Sequence, residues 1–194
     1  MSDFKSILSA IEKHIKLDDV EKAVLLSLLE SRSLKSGEFM EKSGDTSHYF
    51  MFVSMGCLMA YYTDTDGVER VLQFATASWW TGDLHSFTKR EPSIYSTRAL
   101  VDSEVFLMTI DGLNSLLERV PKFEKYFRIL FQNSLVSHQQ RIMQSISFTA
   151  EQRYESFREK YPTLEQFVPQ KYIASYLGVT PEFLSKIRRR LMSK

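Results

Sequence analysis

Two short helices joined by a tight turn are predicted by the stretch PQKYIASYLGVTPEFLSKIRRRL, residues 169–191. Pro169 suits the start of the first helix, and Gly178 can take the left-handed conformation that ends it. Thr180, followed by a proline, provides an N-cap and a first helical residue for the second helix. The small side chain of Ala174 permits the two helices to cross closely. The stretch therefore predicts a helix-turn-helix.

The second helix of this motif has one apolar and one polar face. Leu184, Ile187 and Leu191 recur at helical spacing and would bind it to the first helix. The outward face would carry the polar side chains of Glu182, Ser185, Lys186 and Arg189. A ridge of donors and acceptors of this kind is what reading the major groove of DNA requires. On spacing alone, a helical hairpin that caps a domain is the alternative.

Charge separates the C-terminal part of the chain from the rest. The 194 residues include 25 Lys and Arg against 24 Asp and Glu, so the net charge of +1 creates no global field that attracts DNA. Residues 151–194 nevertheless hold nine basic against five acidic residues. The last nine residues contain no acid but the bases Lys186, Arg188, Arg189, Arg190 and Lys194. By itself this charge fits a solvated helix face better, and it favours DNA binding only in combination with the helix-turn-helix features.

A long helix is predicted upstream of this module. No Gly or Pro occurs between Pro121 and Ile146, and apolar residues follow helical spacing on more than one face. Such a helix needs two partners, which we expect to be its own β-domain and a second copy of the chain. The predicted seam of this homodimer consists of Phe127, Leu130, Phe131, Leu135, His138 and Ile142. Thr149 to Gln152 then fits a capping box that opens another helix.

Short strands are predicted between an N-terminal helical region, residues 1–30, and the long helix. Residues 34–110 contain short aromatic and β-branched runs with turn signals such as Asp66-Gly67, and Val105–Ile110 fits the final strand. Regular spacing of such strands predicts an antiparallel sandwich or barrel. The predicted fold class is α+β. It comprises an antiparallel, jelly-roll-like β-roll domain over residues 1–110, a dimerisation helix over residues 111–147 and a helix-turn-helix domain over residues 148–194.

Several classes of protein are excluded by composition. A lone cysteine, Cys57, cannot form an internal disulfide or supply a four-thiolate iron–sulfur cluster. The N-terminus does not resemble a signal peptide, and no window approaches the roughly 18 apolar residues of a membrane span. We therefore expect a cytoplasmic protein without a membrane partner. We predict no catalytic residues, no metal site and no cofactor.

The order of these elements resembles the Crp/Fnr superfamily of transcription regulators. The elements that carry the resemblance are the β-roll with Gly37, Gly44 and Gly56, the turn Gly82-Asp83-Leu84, the long helix and the terminal helix-turn-helix. Its most specific parts are residues 170–190 and the pattern around residues 49–56. The resemblance implies a homodimer that places each recognition helix in the major groove of a near-palindromic double-stranded operator. It also implies contact with RNA polymerase if the protein is an activator.

The resemblance assigns roles to individual residues of the second helix. Glu182 would accept a hydrogen bond from a cytosine amino group, and Ser185 and Lys186 would be the other groove-facing residues. Lys186 stands where the family commonly has Arg, and Pro181 replaces another frequent Arg, so discrimination should be softer. The predicted DNA-binding set also includes Gln170, Thr180, Arg188, Arg189 and Arg190. Only six residues separate Pro162 from Pro169, too few for the usual β-hairpin wing, so we expect a shortened or absent wing.

The effector site of such a β-roll holds a cyclic phosphate with a Gly-Glu-Leu turn and a following Arg-Ser pair. Here the turn survives as Gly82-Asp83-Leu84, but the pair aligns with Ser93-Ile94 and lacks its cation. Because burying an anion without a cation is costly, we predict that cyclic AMP does not bind. Strand alternation would place Arg98 on the face of Ile94 as a substitute. The candidate effector pocket is Gly82, Asp83, Leu84, Ser93, Ile94, Tyr95 and Arg98, with an unknown small-molecule effector.

Two other classes of protein remain open. A cupin-like enzyme would bind a metal through His48, His85 and a carboxylate such as Asp83, although the usual ligand spacings are absent. A dimeric interaction protein without DNA binding would present its basic helix to an acidic partner. The cupin alternative leaves the basic C-terminal module unexplained, so DNA binding is the favoured hypothesis.

Overall fold

Two short helices open the part of the chain that the computed structural model describes, residues 4–192. They are α1 (Lys5–Glu12) and α2 (Asp19–Ser27). Asp18 starts α2 with a capping box, because its carboxylate accepts from the Glu21 N–H at 2.9 Å while the Glu21 carboxylate accepts from the Asp18 N–H at 2.9 Å. The predicted helical region is therefore broken in two, and the first strand begins earlier than expected, at Leu29.

The β-domain consists of two antiparallel-type sheets of four strands each. The strands are β1 (Leu29–Leu34), β2 (Phe39–Glu41), β3 (Phe50–Met55), β4 (Cys57–Thr63), β5 (Glu69–Thr76), β6 (Trp80–Thr81), β7 (Ser96–Ala99) and β8 (Ser103–Met108). One sheet has the order β1-β8-β3-β6, and the other has the order β2-β7-β4-β5. Strand β8 pairs antiparallel with both β1 and β3. The predicted antiparallel, jelly-roll-like domain is confirmed, although its last strand spans 103–108.

The described chain forms two compact units. The first contains the chain up to Ala60 together with Phe74–Gln132. The second contains Tyr61–Gln73, which is the outer part of the β4–β5 hairpin, and the chain from Asn133 onward. The hairpin turns at the predicted Asp66-Gly67, where Gly67 has a φ of 77°.

Aromatic side chains fill the core of the first unit. Phe50 stacks on Trp80 with ring centroids 4.8 Å apart, and the indole N–H of Trp80 donates to the Tyr126 hydroxyl at 2.9 Å. Phe87 and Phe123 are almost completely buried in the same cluster. This core joins the strands to α3 (Leu84–Lys89), α4 (Ile110–Arg119) and the start of α5 (Lys122–Ser147).

The long helix α5 covers the predicted stretch from Pro121 to Ile146, but the dimerisation helix predicted over residues 111–147 is divided in two, because α4 ends at Arg119. We expected apolar side chains on more than one face, packed against the β-domain and against a second copy of the chain. The buried residues, Phe123, Tyr126 and Phe127, lie in the first two turns, and apolar side chains beyond them are increasingly exposed. Periodicity identifies the faces of a helix, but it does not tell which turns have a neighbour to pack against.

The C-terminal helices follow the predicted boundaries closely. Helix α6 (Ala150–Lys160) begins with the expected capping box, in which the Thr149 hydroxyl accepts from the Gln152 N–H at 3.2 Å. A single 3-10 turn (Leu164–Gln166) connects α6 to α7 (Gln170–Leu177), which is followed by α8 (Pro181–Met192). Within residues 4–192, no strand lies between α6 and α7, so the expectation of a shortened or absent wing is confirmed. None of the helices in this range has the length and apolarity needed to cross a bilayer.

Candidate nucleic-acid interface

The turn between α7 and α8 has the geometry that the sequence predicts. Gly178 takes the left-handed conformation with φ 68° and ψ 37°, and the Val179 N–H donates to the Ala174 carbonyl at 3.0 Å. The Thr180 hydroxyl then accepts from the Phe183 N–H at 3.2 Å and caps the start of α8. These local bonds satisfy main-chain groups at both helix ends and fix the direction in which α8 leaves the turn.

Apolar contacts hold α8 against α7. Ala174 is fully buried, as expected for a residue at a close helix crossing. Leu184 and Ile187 of α8 are also buried, with Ile173 and Leu177 of α7. Because these residues occupy the inner face of α8, its other face is left to solvent.

The solvent-facing side of α8 carries the predicted polar residues. Glu182, Lys186 and Arg189 are exposed, and Ser185 is half-buried. Ser185 is already engaged, because its hydroxyl donates to the Pro181 carbonyl at 3.0 Å and accepts from the Gln170 side-chain amide at 3.1 Å. The structure thus brings Gln170 and Ser185 together into a pair that sequence analysis treated as separate contacts.

Glu182 is held as an ionised hydrogen-bond acceptor. Its own main-chain N–H, followed by the Thr180 hydroxyl, lowers the pKa of its carboxyl group. The N-terminal end of a helix favours a negative charge at this position. An ionised carboxylate has acceptor sites only, so it matches an amino group and does not match a carbonyl oxygen.

The arginines near the end of α8 differ in their surroundings. The Arg188 Nε lies 3.8 Å from a Glu165 carboxylate oxygen, and Arg190 forms an ion pair with Glu151. Arg189 points to solvent. Neither acidic partner is predictable from the sequence, because they lie 23 and 39 residues away along the chain with no local pattern that pairs them.

Glu165 joins the turn after α6 to α8. The Tyr154 hydroxyl donates to this carboxylate at 2.5 Å, and the Arg158 Nε lies 3.4 Å from it. Burial, reinforced by the hydrogen bond to Glu165, raises the pKa of Tyr154 to about 12. Glu165 therefore links Tyr154 of α6 to Arg188 of α8.

In the candidate effector pocket of the β-roll, the polar groups of Asp83 and Ser93 already have hydrogen-bond partners within the protein. The buried Asp83 carboxylate accepts from the His85 and Ser86 N–H groups at 3.0 and 3.1 Å, capping α3. The Ser93 hydroxyl donates to the same carboxylate at 2.7 Å. Gly82 precedes this cap with a φ of 145°, and a Cβ there would lie 3.2 Å from the Tyr49 carbonyl oxygen.

The other predicted pocket residues are spread between core and surface. Leu84 is 39% exposed and Ile94 58% exposed, and Tyr95 and Arg98 are half-buried. Ile94 precedes β7, which begins at Ser96, so strand alternation does not relate it to Arg98 as we expected. The Arg98 guanidinium lies 6.0 Å from the centroid of the Phe39 ring.

A second buried carboxyl group, that of Glu41, interacts with Asp83. Burial, and then the negative charges of Asp83 and Asp45, raise the pKa of Glu41, while a hydrogen bond from Ser47 at 2.5 Å opposes this shift. These carboxylates would repel a phosphate placed beside them.

The residues of the cupin alternative do not form a metal centre. His48 and His85 are exposed, the His85 Nε2 lies 3.7 Å from a Glu91 carboxylate oxygen, and Asp83 is committed to its cap. Over residues 4–192, no three His, Cys, Asp or Glu side chains are grouped so that they could hold a metal ion. The arrangement of His48, His85 and Asp83 therefore does not support the metal site that a cupin-like enzyme would need.

The β-roll matches a known domain family, and most of the chain matches known transcription regulators. Residues 31–120 match the family model of the cyclic nucleotide-binding domain. The transcriptional activator protein Anr of Pseudomonas aeruginosa is 25% identical over 191 residues, which cover 93% of this chain and 75% of that protein. Crp/Fnr-type transcription regulators are thus homologues of this chain, and the resemblance found in the sequence is confirmed.

Solved structures agree on the fold. The c-di-GMP responsive global regulator CLP of Xanthomonas campestris has a TM-score of 0.72 at 13% identity, covering 91% of this chain and 92% of that chain. FixK2 of Bradyrhizobium japonicum has a TM-score of 0.73 at 16% identity and covers 85% of each chain. These similarities extend from the β-roll into the C-terminal helices.

Proposed function

We propose that the protein is a sequence-specific DNA-binding regulator of transcription that acts as a homodimer. The observation that carries this proposal is the exposed polar face of α8, which α7 and the Gly178-to-Thr180 turn hold in a fixed direction. A helix presented in this way fits the major groove of double-stranded DNA. The homologues of the chain are transcription regulators and not enzymes, which supports the same function.

Base reading would be performed by the first turns of α8. The ionised Glu182 accepts a hydrogen bond from a cytosine amino group, and Lys186 donates to guanine. Ser185 contributes one hydroxyl whose partners are already Pro181 and Gln170, so it fixes the base-reading surface more than it adds specificity. Phe183 is 47% exposed and can contact a thymine methyl group.

Phosphate contacts would come from the basic end of α8. Arg189 faces solvent and can reach a phosphate directly. Arg188 and Arg190 would exchange Glu165 and Glu151 for phosphate oxygens on binding. Gln170 and Thr180 flank the same surface. These contacts set register and affinity, and they make binding depend on salt concentration.

Dimerisation is proposed to use the exposed apolar side chains of α5. Leu135 and Ile142 are each 61% exposed, and Phe131 and His138 are exposed beside them. An unpartnered apolar stripe on one helix suits a twofold, self-complementary contact with a second copy. Phe127 and Leu130 pack with the core of the first unit, so the proposed seam begins at Phe131.

The β-roll is proposed not to bind cyclic AMP. Its Asp83 is satisfied by Ser93 and by the start of α3, and Glu41 adds a second buried carboxyl group nearby. A regulator of this kind that activates transcription would also contact RNA polymerase.

The test is selection of bound duplexes from a random library by the wild type, by Glu182→Ala and by Glu155→Ala. Glu155 is the matched control because it is an exposed acid on α6, outside α8. Glu182→Ala should lose discrimination at one symmetric pair of positions, by about 1–3 kcal/mol per lost base contact, while Glu155→Ala selects the wild-type sequence. Identical selected sequences for all three proteins would refute the assignment of Glu182.

A further inference from the structure

A cleft of about 750 Å³ lies within the second unit. It is bounded by the β4–β5 hairpin and by residues of α5, α6 and α7. Volumes of about 300–1,000 Å³ are typical of sites for small molecules. Four cationic side chains line it, Arg70, Arg141, Arg153 and Lys160, against one carboxylate, Glu159. Arg70 is paired with Asp64 outside the lining, its Nε lying 2.7 Å from the Asp64 carboxylate, so three cations remain. The lining therefore carries an excess of positive charge.

Arg141 is held in this cleft by neutral groups. Its Nη2 donates to the Val71 and Tyr176 carbonyls at 3.1 and 3.3 Å, and its Nη1 donates to the Leu72 carbonyl. Its guanidinium carbon lies 4.1 Å from the centroid of the Tyr176 ring. These contacts fix the orientation of the guanidinium without neutralising it, so it is preorganised for an anion.

Main-chain carbonyl groups also hold Arg153, at the start of α6. Its Nε donates to the Leu177 carbonyl at 3.2 Å and its Nη1 to the Phe148 carbonyl at 2.9 Å. In the part of the chain that the structure describes, neither Arg141 nor Arg153 forms an ion pair with a carboxylate. Each retains N–H groups that can bind an oxyanion in addition to the carbonyls.

Lys160 adds a third positive charge near Arg141. Its Nζ donates to the Ser137 hydroxyl at 2.8 Å. Burial, and then the charge of Arg141, lower the pKa of Lys160. An anion bound between the two cations would remove this unfavourable interaction.

Neutral polar groups complete the lining and indicate the class of ligand. They are Ser137, Gln140, Gln144, Ser145 and Ser156. We propose that this cleft binds a small phosphorylated molecule, with its phosphate between Arg141, Arg153 and Lys160. Guanidinium groups suit phosphate because they are permanently charged and carry five N–H donors, some of which remain available here, and the hydroxyl and amide side chains suit the remainder of such a molecule.

This site is distinct from the candidate effector pocket of the β-roll. The β-roll presents Asp83 and Glu41, whereas the cleft presents cations. The cleft also includes Tyr176, Leu177 and Gly178, which end α7. A ligand there would touch the turn of the helix-turn-helix, and any effect on DNA binding rests on the proposed function.

Titration calorimetry of the full chain, without DNA and at constant ionic strength, tests the site. The probes are pyrophosphate, AMP and glucose 6-phosphate. We expect saturable binding of one molecule per chain. In NMR spectra recorded during the same titration, the amide chemical shifts of Ser175 to Gly178 should change. Tighter binding of AMP would indicate that the ligand is a nucleotide, and tighter binding of glucose 6-phosphate would indicate a sugar phosphate. Equal binding of the three probes would indicate that the cleft recognises the phosphate group alone. Absence of binding by all three would overturn the proposal.

Three variants locate the binding. Lys160→Met should weaken it about tenfold, because a charge-assisted hydrogen bond is lost. Glu159→Gln should strengthen it about twofold to fivefold, because a repelling carboxylate is removed. Lys171→Met is the matched control, an exposed lysine on α7 outside the cleft, and should not change the affinity. Equal losses in both lysine variants would contradict a site in this cleft. Because no DNA is present, this result is independent of the proposed function.

Discussion

Gly178 and Gly56 both have positive φ angles, 68° and 91°, but their surroundings differ. A Cβ at Gly178 would meet no atom within 4 Å, whereas one at Gly56 would lie 2.7 Å from the Asp102 carbonyl oxygen. We expect Gly178→Ala to lower the free energy of unfolding by about 1–2 kcal/mol, through backbone strain alone. Gly56→Ala should cost clearly more, because the β-domain must also shift. Urea unfolding measures both, and equal losses would contradict this explanation.

Cys57 illustrates a residue whose chemistry is suppressed by burial. It is fully buried, and burial raises the pKa of its thiol to about 12. The folded state favours the neutral thiol. The contribution of the Cys57 thiol to the free energy of unfolding is therefore complete below the ordinary pKa of a thiol, and it is lost as the pH rises toward 12. At pH 8 we expect iodoacetamide to modify Cys57 in urea but not in the native protein. Rapid native alkylation would show that the thiol is accessible.

Helix α5 is the element on which the oligomeric state depends. Leu135→Glu and Ile142→Glu each place a charge in the proposed seam, so we expect both variants to sediment as monomers while the wild type sediments as a dimer. Asn133→Glu is the matched control, because this exposed residue lies on the other side of the helix. Dimeric mass in both seam variants, or a monomeric wild type, would contradict the proposed seam.

The elements also show what could be predicted from the sequence. Helix ends were predictable where the signal is local, as at Thr149 and at Gly178 with Thr180. The relation between Ile94 and Arg98 was not, because β7 starts only at Ser96. Local patterns mark caps and turns, but strand limits depend on pairing with distant strands.

At the scale of the whole molecule, the predicted order of elements was sufficient for the fold class. The contacts that organise the C-terminal unit were not predictable, because Arg141 bonds to Val71 and Leu72 and Arg188 lies beside Glu165 without any sequence periodicity that links them. The candidate DNA surface was therefore foreseen as a set of residues, whereas the cleft and the internal ion pairs required the structure.

The acidic partners of Arg188 and Arg190 reduce the positive charge that α8 presents to DNA. Glu165→Gln should release Arg188 for phosphate while retaining an acceptor for Tyr154, so affinity for a random duplex should rise by about 0.2–1 kcal/mol. Glu155→Gln removes the same charge from an exposed position of α6 and serves as the control. Fluorescence anisotropy at two salt concentrations measures the difference. Equal effects of the two substitutions would show that only net charge matters.

The central claim, a dimer that reads DNA through α8, is tested most directly by the symmetry of the sites that the wild-type chain selects from a random duplex library. We expect an enriched inverted repeat whose half-site centres lie about one helical turn, or 10–10.5 bp, apart or at a multiple of it. Sequence-blind binding, or enrichment of a single site without a repeat, would contradict it.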